Sequence, residues 1–158
     1  MKVIGSTIKN PEISEIIDIL IKSLSDPFYE NQKGLNVLLK TTFVHYIDIP
    51  ALSLVVPIIE YALKSRDSEK KQDGARLIGT ITTLIKDSKD ILPYLDALLN
   101  GLLIALNDPV SEIRSLAAKA TGVIAKKLSR QNCDPLLNRL YSVLNNPDST
   151  SIERAGAA

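Results

Sequence analysis

The chain is expected to be all-α, a solenoid of stacked antiparallel helix pairs, and three observations point that way. Apolar residues recur at three- and four-residue steps along most of the 158 residues, which is the period of one helix face. Turn-forming positions return at nearly constant intervals. The helices that follow those turns are rich in Ala and Gly, small side chains that let a neighbouring helix come close. The clearest copy is LLIALNDPVSEIRSLAAKATGVIAKKL, Leu102 to Leu128: the end of one helix, a tight turn at Asn107-Asp108-Pro109, and a second helix. Ile113, Leu116, Ala117, Ala120, Ile124 and Leu128 form its apolar stripe. An Asp at Leu116 would place an unpaired charge in that stripe and is expected to destabilise the fold by several kcal/mol.

Taken in order, residues 1–10 read as the tail of a preceding element. The first helix starts at Pro11, tolerated in a first turn, with Glu12 and Glu15 suited to the positive helix N-terminus. Ile13, Ile16, Ile17, Leu20 and Leu24 give its apolar face, and Asp26-Pro27 ends it. A second helix is expected from about Glu30 to Thr42. The β-branched and aromatic run Thr41–Ile47 has strand propensity. It is short and isolated between helical patterns, so a packed loop closing at Pro50 is expected. Residues 51–64 form a third helix in which Pro57 removes one backbone bond and should cause a kink or a restart. A fourth runs from about Glu69 to Ile85, and Lys86–Asp90 is a polar connector. The fifth spans about Pro93 to Leu106, the sixth completes the hairpin described above, and the seventh spans about Pro135 to Leu144. SIERAGAA at the end begins an eighth that the chain cuts off, as expected for a fragment of a longer array.

Aligning the turns exposes the repeat. Asp26, Ser65, Asp108 and Asp148 are separated by 39, 43 and 40 residues, and six positions later stand Gln32, Lys71, Arg114 and Arg154. LIGTI at 77–81 matches ATGVI at 120–124. A two-helix unit of about 40 residues is the signature of HEAT or armadillo arrays. HEAT is favoured because no short leading helix precedes each pair. The expected architecture is about four antiparallel pairs in a single array over 1–158, with units near 11–47, 51–87, 91–130 and a truncated 133–158. Five glycines (Gly74, Gly79, Gly101, Gly122, Gly156) fall inside expected helices, where each costs about 1 kcal/mol against Ala. Close helix–helix approach is the expected compensation, since no Gly-rich strand-to-helix turn is present to hold a phosphate.

Composition narrows the function. The chain is 45% apolar and 23% charged, the balance of a globular protein. Its net charge of +1 implies no bulk attraction to nucleic acid or acidic lipid. Aromatics are only 4% and Trp is absent, leaving little for stacking platforms. A lone Cys133 excludes an internal disulfide and fits a reducing compartment. No apolar run approaches the roughly 18 residues that span a bilayer, and MKVIGSTIKNPEIS lacks a signal-peptide core. A soluble, cytoplasmic chain is expected.

Several stretches resemble one family: NPEI at 10–13, TTFVHYIDIPALSLVVPIIEYALKSR at 41–66, DILPYLDALLNGL at 90–102, DPVSEIRSLAAKATG at 108–122 and SIERAGAA at 151–158. They are similar to the HEAT region of the general-control translational activators, which itself resembles the HEAT domain of fungal elongation factor three. The ERAGAA ending favours the activators. Ser65, where the repeat usually has Asp, and Gln32, which replaces a basic residue, depart from the repeat pattern. The resemblance implies a non-enzymatic scaffold acting in translation regulation and amino-acid starvation. Its implied partners are the ribosome, an ATP-binding-cassette protein and, through the full-length protein, the starvation-response kinase. No membrane, free DNA, cofactor or metal is implied. An elongation-factor-three-like translation factor and an unrelated HEAT adaptor are the alternatives.

Few residues invite chemistry. His45 is the only histidine, and spacing reveals no partners for a metal site or a catalytic triad. Cys133, ahead of an expected helix, could have a lowered thiol pKa, but a structural or exposed thiol is the simpler reading. Asp108/Arg114 and Asp148/Arg154, with Lys71, are expected to form a structural polar ladder between repeats. Lys119, Lys126 and Arg130 fall within about 40° on one helical wheel, and Arg76 aligns with Lys119 one repeat earlier. These four are the candidate partner-binding residues. A base-excision glycosylase on a HEAT-like scaffold would need a catalytic carboxylate and aromatic groups to hold an extruded base; the absence of Trp and the near-neutral charge argue against it.

Overall fold

The computed structural model describes residues 8–26 and 31–158. The described residues form an all-α solenoid: α1 (Pro11–Ser25), α2 (Asn31–Lys40), α3 (Ile49–Lys64), α4 (Ser68–Leu84), a 3-10 segment (Ser88–Tyr94), α5 (Leu95–Leu106), α6 (Ser111–Lys127), α7 (Arg130–Asn145) and α8 (Ser151–Ala157). Residues 1–7 and 27–30, with the expected helix end at Pro27 and the expected start near Glu30, lie outside the described part.

Local signals set the helix starts. Asn10 accepts the Ile13 N–H at α1, Asp48 the Ala51 N–H at α3, and Asp67 the Glu69 N–H at α4, each satisfying an otherwise orphaned donor. Thr150 and Glu153 form a reciprocal capping box that starts α8. The expected fourth, sixth and eighth helices are found with small shifts at their ends. Helix α3 runs through Pro57 without a restart. Pro57 is exposed while Val56 and Ile58 beside it are buried, so packing holds the turn that lacks one backbone bond. The expected seventh helix started too late: α7 begins at Arg130 and carries Pro135 inside it. The polar connector after α4 is largely a 3-10 turn, and it leads directly into α5.

Helix α3 is the centre of the core. Nine of its sixteen residues are buried, and it packs against α1, α2, α4 and α5. A helix apolar nearly all round needs neighbours on several sides, and stacking supplies them. The most extensive helix–helix contact is between α4 and α6, the second helices of successive pairs. In α6 the stripe centres on Ile113, Ala117, Ala120 and Ile124, all buried, whereas Leu116 is only half-buried at its margin. A charge at Leu116 would therefore reach solvent, and the strong effect expected of Leu116→Asp moves to Ile113 and Ala117.

The glycines divide into two groups. A methyl at Gly101 would lie 2.6 Å from Leu63 Cδ1, one at Gly74 3.2 Å from Ala62 and Leu63, and one at Gly34 2.5 Å from Ser23 Oγ. At Gly156 it would collide with the Leu106 carbonyl oxygen. Close approach is thus real at Gly74, Gly101 and Gly156. It fails at Gly79 and Gly122, where nothing lies within 4 Å, although these two align best between repeats. Gly79→Ala is expected to raise stability by about 1 kcal/mol through helix propensity alone, read as a higher urea midpoint. A lower midpoint would mean that the site is crowded after all.

Candidate functional site

The stretch Thr41–Asp48 is a packed loop, as expected, joined to the next unit by one parallel bridge between Ile47 and Ile85. Its shape is imposed by the N-terminus of α1. The buried Asn10 caps α1 with its Oδ1 and donates from Nδ2 to the carbonyls of His45 and Tyr46, each at 3.2 Å. Glu12 Oε1 accepts from the backbone N–H of Val44 (3.2 Å) and of His45 (3.3 Å), and from His45 Nδ1 at 2.8 Å. Asp48 accepts the Lys9 N–H at 2.7 Å. The NPEI and FVHYIDI stretches, more than 30 residues apart in sequence, therefore form one hydrogen-bonded unit. Val44 and Tyr46 are left 72% and 63% exposed on it. His45 here is a loop fastener with a carboxylate partner.

Burial pushes the Glu12 carboxyl up, but hydrogen bonds from the His45 ring, its own backbone N–H and the N–H groups of Val44 and His45 outweigh this and lower it from 4.5 to about 2. A carboxylate depressed in the folded state stabilises above its unfolded pKa, and the contribution is lost as pH falls through the folded value. For Glu12 the window runs from pH 4.5 down to about 2. The Glu12→Gln variant is expected to show a thermal midpoint that falls less steeply than wild type across this window. Parallel profiles would remove Glu12 from the account.

Two lysines link successive units. Lys71 on α4 donates to Asp108 Oδ2 at 2.5 Å, and the Asp108 carboxylate is only 4% exposed. Asp108 also accepts the Val110 N–H at 3.0 Å. Burial raises its pKa, while the Lys71 hydrogen bond, the Val110 N–H and the charges of Lys71 and Arg114 together hold it below the usual carboxylate range. Lys127, at the end of α6, donates to the Ile85 carbonyl at 2.7 Å, placing a cation on the negative C-terminus of α4. The arginines fold back on their own turns. Arg114 Nη1 donates to the carbonyls of Asp108 and Pro109 (2.9 Å each), and Arg154 Nη2 to those of Asn146 (3.1 Å) and Pro147 (2.8 Å). Asp148 is exposed, with its backbone N–H on Asn146 Oδ1.

Of the basic positions, Arg76 and Lys119 line one shallow hollow between α4 and α6, beside Glu112 and Leu116. Arg76 is paired with Asp73 at 3.1 Å on its own helix. Lys126 is exposed near the end of α6. Arg130 opens α7, beyond the Leu128 C-cap of α6, so the helical-wheel argument does not carry to it. Cys133 lies inside the first turns of α7, not ahead of the helix, and is buried. Among the described residues no group of His, Cys, Asp and Glu could hold a metal ion, and no helix is long and apolar enough to cross a membrane. Lys127 and the bonds of Asn10 and Glu12 to the loop escaped sequence reading. Asn10 before Pro11 was a legible cap signal, but its second partner across the loop was not.

Comparison with known proteins adds to this geometry. Residues 30–135 match the family model described as elongation factor 3/GNC1 HEAT repeat. The human stalled ribosome sensor GCN1 is 40% identical over 158 residues, 100% of this chain and 6% of that protein. The eIF-2-alpha kinase activator GCN1 of Saccharomyces cerevisiae is 35% identical over the same 100% and 6%. Elongation factor 3 of Mycosarcoma maydis is 35% identical over 116 residues, 72% of this chain and 11% of that protein. The chain thus spans a small part of the curated relatives that it matches.

Proposed function

Since the chain belongs to the elongation factor 3/GNC1 HEAT-repeat family, we propose that it is a non-enzymatic interaction scaffold within a ribosome-associated translational activator. The observation that carries this reading is the match along the whole chain to proteins named stalled ribosome sensor and eIF-2-alpha kinase activator. The elongation-factor-three reading is second, because its match reaches only 72% of the chain. The scaffold acts in the cytoplasm by presenting helix edges, built from the four units 11–47, 51–87, 91–130 and 133–158, to the ribosome and to an ATP-binding-cassette partner. Kinase activation follows through the rest of the protein. Lys71 and Asp108 serve the stacking of the units; Arg114 and Arg154, expected in the same ladder, hold their own turns, and Asp148 is exposed. Arg76, Lys119, Lys126 and Arg130 meet the partner. The polar links between units and the hydrogen-bonded loop edge support this reading.

Cosedimentation of the chain with ribosomes, and pull-down with the cassette protein, test the proposal. Binding to either supports it, and binding to neither would leave only the fold. Charge reversal at Lys119 and Lys126 is expected to weaken ribosome binding several-fold and reduce its salt dependence. An unchanged salt profile would move the contact to another face.

A further inference from the structure

We draw no further inference here: the strongest candidate, the surface patch of Val44 and Tyr46 on the loop that Asn10 and Glu12 hold, is an exposed apolar face, and nothing in the structure shows what covers it.

Discussion

Leu63→Ala is expected to destabilise the chain by about 2–5 kcal/mol, the range for truncating a fully buried leucine. Leu63 is 0% exposed near the end of α3. Its side chain fills the space left by two glycines, Gly74 on α4 and Gly101 on α5, and so joins one helix pair to the next. Truncation opens a cavity that two helices, both pinned elsewhere, cannot both close. The two sites should therefore be coupled. In the wild type Gly101→Ala forces a methyl to 2.6 Å from Leu63 Cδ1 and destabilises. In the Leu63→Ala background the same methyl enters the vacated space and should restore part of the loss. Urea midpoints for the four members of this cycle are the measurement. Simple additivity would mean that α5 moves away from α3 and the junction is softer than it looks.

Lys71→Met is expected to cost about 3 kcal/mol, the lower end for breaking a buried pair, because the Val110 N–H and the nearby Arg114 still serve Asp108. The pH dependence separates this from lost packing. The Asp108 carboxyl sits below its ordinary value of 3.8 in the folded state, so its stabilisation is present above pH 3.8 and disappears as pH falls through the lower folded value. The gap between wild type and Lys71→Met should therefore be widest near neutral pH and narrow in acid. Glu12 titrates in both proteins and cancels in the difference. A gap of constant size from pH 7 to pH 3 would assign the effect to the lysine stem, not to its charge.

The repeat was legible because helix periodicity and turn chemistry are local. Asp67 and Thr150 cap where their residue types suggest, and the stripe of α6 lies where three- and four-residue spacing puts it. The misreadings came from spacing carried past its reach. Arg130 falls on the Lys119–Lys126 wheel only if α6 continues, and Leu128 ends it. Gly79 and Gly122 look like contact glycines because they align, yet both face open space. Pro135 looks like a helix start, and it lies in the interior of α7.

The sequence by itself determined an all-α chain, its repeat, the order of its helix pairs and its family, since each of these follows from periods and short motifs. Tertiary structure alone decided how the units meet. Stacking brings Lys71 to Asp108 across 37 residues and Lys127 to Ile85 across 42, and it closes Asn10 and Glu12 on the His45 loop. A helix period tells which side chains share a face. The rotation and distance of the neighbouring helix decide which of them are covered, and those depend on the packing of side chains far apart in the chain.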